Sequence, residues 1–440
     1  MKALYILLVV FFLISCSNDE AMDDFTEKEV IEEIEDSTSV DPENVFAGEV
    51  TYYDAVKSED GLVLVNDAAS NRIYLMEKEE SIILKEWNLP SGIGNDGELL
   101  ANGNLLVALT DPDPVYSFGG FGGRVAIITP EEEIIWDYKY SDSINLAHHD
   151  IEMLPNGNIL ILAWEKKTGS ELVTKGYEGP YESVYSEKLV EINPSDNQIV
   201  WEWHAWDHLV QNSSSEAEDF GEISEHPERI NLNYIDPLKD GSYNGDIFHA
   251  NGLEYDESRD LIYLSVNYYS EIWVIDHSTT AEEAKTTKGG FRDRGGDLVY
   301  RFGNPSTYNN LNGKRTFFHN HHPNLVPNSN TILVYSNGIL SEDPHSVVFE
   351  LEIPEIFELN AQRDNELNVL WSFSHPDLYS PKVSGAQRLA NGNTLITEGT
   401  SGYWEVTDSG EIVWRFESEG FFWRGYHYNR ISPEILNLNL

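Results

Sequence analysis

One short pattern recurs along this chain: an apolar strand, a tight turn and a second apolar strand. It appears as ELLANGNLLVAL at 98–109, EMLPNGNILILA at 152–163, LEYDESRDLIYLS at 253–265, NLVPNSNTILVYS at 324–336 and QRLANGNTLITEG at 387–399. Asn-Gly, or an Asp or Ser equivalent, is the turn chemistry that joins adjacent antiparallel strands. A degenerate first copy is expected over 61–76. A further apolar strand follows each copy (RVAIIT at 124–129, KLVEIN at 188–193, EIWVID at 271–276, YWEVT at 403–407). A third signature then places an aromatic residue among alternating neighbours: Trp136, Trp201, Tyr300, Trp371 and Trp414, with Trp87 as a loose sixth. Alternation at period two marks half-buried strands, with the aromatic side turned to a neighbouring sheet. The shortest spacing, the 43 residues from Trp371 to Trp414, matches one bare four-stranded blade. The longer spacings contain insertions, chiefly 204–248 and 277–296. No segment of the body sustains a helical period. Many short strands escape open edges when their sheets close into a ring, so the pattern predicts an all-β fold, a six-bladed β-propeller over 50–440.

The chain carries 76 acidic against 28 basic residues, a formal charge of −48. Nucleic acid requires a basic face, so it is excluded as a partner. The apolar run 3–14 is too short to span a bilayer comfortably and follows a basic Lys2. It ends in Leu13-Ile14-Ser15-Cys16, which resembles a bacterial lipobox. The expectation is a signal peptide over 1–15 and an acylated Cys16 that anchors the chain to a membrane. Ser17 resembles an outer-membrane sorting choice, with the protein on the periplasmic or cell-surface side. Cys16 is the only cysteine, which excludes disulfides and Cys-based metal sites. The segment 16–49 is rich in Asp, Glu, Ser and Thr and reads as an acidic flexible tether, with a short helix expected over 27–35.

The repeats differ at one place. His149 and His321 each stand seven residues before the turn asparagine, and His249 takes the matching place before a turn of different length. Two other repeats have Asn95 and Ser384 there. Equivalent positions in a propeller share a radial place, so three imidazoles are expected at one mouth of the channel. Polar neighbours accompany them: His148, Asn251, Asn320 and His322. Three chemistries fit such a cluster: hydrogen bonding within each blade, a His₃ metal centre with an open position, or an anion site with a nucleophilic imidazole.

The chain resembles the bacterial arylsulfotransferases from about Asn95 onward. The resemblance rests on HHD at 148–150 before LPNGN, FHANGLEYD at 248–256, SEIWVIDHSTT at 270–280, GGDLVYRFGNP at 295–305, NHHPNLVPN at 320–328 and EIVWRF at 411–416. It implies a six-bladed propeller that moves a sulfuryl group from an aryl sulfate donor to a phenolic acceptor through a sulfo-histidine, with no cofactor. It further implies that His321 is the nucleophile and that His149 and His249 hold the sulfuryl group. Asn267 stands where the family has a sulfuryl-binding arginine, and His322 follows the nucleophile where the family has aspartate. Asparagine donates hydrogen bonds but carries no charge, and Lys314, Arg315 and Arg292 are candidates to replace the cation. The alternative to an enzyme is a propeller that binds sulfated or phenolic ligands without turnover. Tyr268, Tyr269 and Tyr403 are candidates to line a phenol pocket.

Overall fold

A computed structural model describes residues 45–236, 244–339, 341 and 344–440. The signal peptide, Cys16 and all but the last residues of the expected tether lie outside the described residues. Six antiparallel sheets form the body, each with its innermost strand beside the innermost strands of its neighbours. Blades two to six begin at the channel with Ile93–Leu99, Asn145–Met153, Ala250–Asp256, Asn320–Leu325 and Gly385–Arg388. Each continues outward in chain order through three more strands. The repeat motif is therefore the first two strands of a blade. Its turn needs one left-handed residue: Gly103, Gly157 and Gly392 supply it in three blades, and Asp260 and Asn328 in the others.

Blade one corrects the reading of the first repeat. Leu62–Asp67 and Arg72–Glu77 are its second and third strands, not its first and second, because the C-terminal strand Phe422–Tyr428 takes the channel position. At the other end, Glu49–Tyr53 adds a fifth strand to the rim of blade six, against Ile412–Glu417. Each terminus of the ring thus closes on a blade built mainly from the opposite end of the chain.

The blades are latched twice. At the rim, the aromatic marker of one blade donates to the third-to-fourth-strand connection of the next. Trp136 reaches Asn197 Oδ1 at 2.8 Å, Trp201 reaches Thr279 Oγ1 at 3.1 Å, and the Tyr300 hydroxyl reaches the Asn365 carbonyl at 2.7 Å. Trp371 and Trp414 donate to the carbonyls of Asp408 and Lys78, both at 2.8 Å. Blade one uses Lys85 and Asn88 instead, which hold Glu132. At the channel, a side chain of each innermost strand accepts a backbone N–H from the next. Glu98 accepts from Met153, Glu152 from Tyr255, Glu254 from Leu325, His322 Nδ1 from Ala386, Gln387 from His427, and the Tyr428 hydroxyl from Leu99. These bonds satisfy N–H groups on the open, channel-facing edge of each innermost strand, which no further strand pairs, and so buried polar residues line the axis.

Candidate active site

The innermost strands are bulged where the histidines lie. The pairing register slips between Ala147 and Ile151, between Ala250 and Gly252, and between His321 and Asn324. A left-handed residue accompanies each slip: His149, His249 and His322 have φ of 56°, 53° and 51°. A bulge bends the strand and re-aims its side chains, here into the channel mouth. Asn95 and Ser384 also have positive φ, 93° and 88°, in blades two and six, whereas in blade five the left-handed residue is His322, one position past the shared offset.

The three histidines converge. The rings of His149 and His249 are 4.8 Å apart and nearly perpendicular. Those of His149 and His321 lie 5.4 and 6.0 Å from the indole of Trp423, which sits between them. Trp423 is buried, and its Nε1 has no hydrogen-bond partner among the described residues. His249 is the most accessible of the three; its Nδ1 faces Asp246 Oδ2 at 2.5 Å, and its ring stacks on Tyr268 at 4.7 Å. His321 Nδ1 lies 2.6 Å from Asn337 Oδ1. The Asn337 amide nitrogen donates to the carbonyls of Ser380 and Val383, so its oxygen must face the imidazole. His321 therefore carries its proton on Nδ1 and presents a lone pair at Nε2. Burial lowers its pKa to about 3, with His249 and Arg424 adding repulsion against Asn337's opposing hydrogen bond. Burial likewise holds His148, His149 and His322 well below the usual imidazole range.

The remaining sequence candidates divide. His148 lies under the site, stacked on Trp164 at 3.7 Å, with Nε2 on Glu187 and Nδ1 on His149. His322 spends its Nδ1 on the Ala386 N–H in the seam between blades five and six. Asn267 and Asn251 both donate to the Asn320 carbonyl, at 3.2 and 2.8 Å, while the Asn320 amide donates to Ser265 and to the Glu271 carbonyl. Asn267 thus holds blades four and five together beside His249, whose carbonyl accepts its backbone N–H. Of the three tyrosines only Tyr268 borders the site. Tyr269 and Tyr403 are buried in the core and donate to the carbonyls of Asn231 and Arg424.

None of the three proposed replacement cations stands at the histidines. Lys314 is exposed, Arg292 pairs with Asp276 on the far connection of blade four, and Arg315 bonds Asp236 and Ser270. The cation in the channel is Arg424, which the sequence reading missed. It comes from the closing strand Phe422–Tyr428 and crosses the axis to grip Asp150 of blade three through two 2.9 Å hydrogen bonds, with Asp96 at 3.9 Å. Its signal in the sequence is WRGYHY at 423–428, alternating polar groups after the last repeat.

Among the described residues, no group of three or more His, Cys, Asp or Glu side chains has the geometry to hold a metal ion. A cavity of about 250 Å³ lies between the second-to-third-strand connection of blade three and the insertion that leads to blade four, lined by Tyr177, Tyr181, Leu232, Tyr234, Ile235 and Ile247, and Ile247 is two residues from His249.

Solved structures with similar folds include a Bacteroides caccae protein of unknown function (12% identity, TM-score 0.48, covering 83% of this chain and 98% of that one). Another is the β-propeller domain of Myceliophteria thermophila Cps50 (Swd1), with 10% identity and TM-score 0.42, covering 86% and 89%. A third is a putative 6-phosphogluconolactonase from Bacteroides fragilis, with 10% identity and TM-score 0.43, covering 86% and 100%. No curated protein matches the chain. The profile of the family described as Arylsulfotransferase (ASST) matches residues 127–420, a span that includes all three channel histidines and stops just short of Trp423 and Arg424. The chain belongs to the arylsulfotransferase family.

Proposed function

We propose that this chain moves a sulfuryl group from an aryl sulfate to a phenol through a sulfated His321. The observation that carries this reading is the Asn337 clamp, which leaves Nε2 of a neutral imidazole as a lone pair within a cluster of donors. Nε2 attacks sulfur, the bond from sulfur to the aryl oxygen breaks, and the aryl oxygen leaves with the electron pair. A phenol oxygen then attacks the same sulfur and the S–N bond breaks. Sulfuryl oxygens need hydrogen-bond donors in both steps. His249, whose Nδ1 is held by Asp246, donates from Nε2 only when its ring carries both protons, and the indole of Trp423, whose buried N–H has no partner among the described residues, lies beside both His149 and His321. The tyrosine-lined cavity beyond Ile247 suits an aromatic ring. Incubation with 4-nitrophenyl sulfate should yield a sulfo-histidine peptide containing His321, detected by mass spectrometry at acidic-labile mass shift. His321→Ala should show none, and a wild-type protein that never acquires the group refutes the reading.

Non-catalytic binding of sulfated ligands is the second reading. It is favoured by Asn267, which is neutral and committed to the Asn320 carbonyl where the family resemblance implies an arginine. Ligand binding without labelling is its signature. We further propose that the protein works outside the cytoplasm, held to the outer membrane by acylated Cys16; incorporation of a labelled fatty acid that persists in Cys16→Ala would refute this.

A further inference from the structure

Behind His149 stands a buried chain of three groups. Glu187 Oε2 lies 3.0 Å from His148 Nε2, and His148 Nδ1 lies 2.7 Å from His149 Nδ1. Glu187 Oε1 meanwhile accepts the Ala250 N–H at 2.8 Å, which ties the carboxyl to the strand that begins after His249. Contact between two neutral imidazole nitrogens requires one donor and one acceptor, so the two tautomers are locked together. Only two neutral-imidazole arrangements satisfy the chain. With Glu187 ionised, His148 donates from Nε2 to the carboxylate, His149 donates from Nδ1 to His148, and His149 Nε2 is a lone pair. With Glu187 protonated, every donor reverses, and His149 Nε2 carries a proton. The proton state of a buried carboxyl thus decides whether His149 gives or takes a proton at the channel.

We propose that Glu187, His148 and His149 form a proton relay, with Glu187 storing the proton that sulfuryl transfer releases and takes up. The inference rests on the transfer reading above. In the first step His321 Nε2 takes the sulfuryl group, and His149 Nε2–H passes its proton to the departing aryl oxygen. His148 reprotonates His149 through the Nδ1 contact with the ring tautomers shifting, and Glu187 gives up its proton to His148. In the second step the acceptor phenol delivers its proton to His149 Nε2 as its oxygen attacks sulfur. The same bonds run backward and Glu187 is reprotonated. One proton leaves and one returns per cycle, so no external acid is consumed.

The surroundings favour these two states over any with a lasting charge on the imidazoles. His149 is buried and faces His249, His148, His321 and Arg424, all of which oppose a positive ring. His148 is buried and faces His249, with the Ala163 carbonyl favouring its protonated form. Burial and Asp246 push Glu187 well above the carboxylate range, against the Ala250 N–H, which favours the proton-donating arrangement of the relay. A proton accepted at His149 is thereby driven inward to Glu187. Gly120 packs its backbone on the face of the His149 ring, where a Cβ would lie 1.9 Å from Nε2 and 2.2 Å from Cε1, so glycine there holds the ring in place.

Glu187 touches no substrate in this scheme and is a positioning residue. A purely structural Glu187 would slow all donors alike, whereas a relay matters most when the leaving oxygen is basic. General-acid assistance is typically worth at least about 100-fold. Glu187→Gln should therefore lose about 100-fold more labelling rate with phenyl sulfate, whose phenolate has a conjugate acid of pKa about 10, than with the less basic 4-nitrophenyl sulfate. Wild-type labelling with an equal loss on both donors overturns the relay and leaves the transfer reading intact. Absence of wild-type labelling overturns the transfer reading itself. If Glu187→Gln does not fold, wild-type rates with phenyl sulfate in H₂O–D₂O mixtures decide. A curved dependence on deuterium fraction, the mark of several protons in motion, supports the relay, and a straight line overturns it.

Discussion

Arg424 is the place where a single substitution should cost the ring most. Its guanidinium joins blade one to blade three across the channel, with two hydrogen bonds of 2.9 Å to Asp150, and both partners are buried. Replacing it with methionine keeps much of the stem's volume and removes the charge. Asp150 is then left beside Asp96, whose carboxyl burial and Asp150 already push well above its usual range. Breaking a buried pair from one side typically costs about 3–5 kcal/mol, most of it the penalty of the orphaned charge. The penalty should fall when the orphan is neutralised, because an asparagine at 150 can still accept the Leu253 N–H that Asp150 holds at 2.6 Å. Arg424→Met should therefore lose about 3–5 kcal/mol, and Arg424→Met with Asp150→Asn should lose about half of that or less. Urea unfolding followed by tryptophan fluorescence, with equal m-values as the test of comparability, measures both. A single variant within about 1 kcal/mol of wild type, or a double variant as unstable as the sum of its parts, would refute the strut.

Gly120→Ala should abolish labelling of His321 by phenyl sulfate, because the new methyl would overlap the face of the His149 ring and displace it, and the position's φ is +84°; unimpaired rates would show that His149 is not needed in this position. Stability in about 1 M salt, which screens surface charge, should fall steeply below about pH 4.5. The folded pKa values of His321 and His427 are depressed by burial to about 3 and about 4, so each costs stability as the unfolded imidazole charges below 6.5, about 2 kcal/mol apiece by pH 5. Glu98 and Glu254, raised by burial to about 7 and about 8, return a comparable amount over the same interval. Their return ends near the unfolded carboxyl value of 4.5 while the histidine loss continues toward pH 3, so denaturation curves that show rising stability from pH 5 to 3 would contradict the assignment.

The ring was legible because each blade announces itself locally: the turn residues sit at a fixed distance from the strand they end, and the rim aromatics recur in phase. The closing strand was not, because Phe422–Tyr428 follows the last repeat and lacks the turn that marks the others. Its partner, Leu62–Asp67, lies more than 350 residues earlier, and no local signal spans that separation. The same division holds at the site. His149, His249 and His321 share an offset, and each lies at or beside a register slip of its innermost strand. Glu187, Asn337 and Arg424 approach from a third strand, a strand end and the C-terminal closure, each with its own spacing. Each is polar at a position that strand alternation alone cannot distinguish from a solvated edge. The rim aromatics show the converse: packing was foreseen, but the N–H of Trp136, Trp201, Trp371 and Trp414 directed at the next blade was not.

The absent arginine at 267 changes how charge is handled in this pocket. An arginine there would present a fork of donors to a sulfuryl group. Asn267 presents no charge, and its amide nitrogen donates to the Asn320 carbonyl. Arg424 does not restore the charge at that place, because Asp150 takes both of its terminal nitrogens and Asp96 stands nearby. The groups gathered around His321 are instead neutral ones: His149, whose charged form burial disfavours as it does that of His321, and the indole of Trp423, whose N–H has no partner among the described residues. Neutral donors stabilise developing charge less than a cation does, but in a dry pocket their fixed dipoles need no reorganisation. Such a pocket gains most from control over the leaving oxygen, since it gains least from charge on the transferring group. The proposed Glu187 relay supplies that control, since its carboxyl reaches His149 through His148 alone.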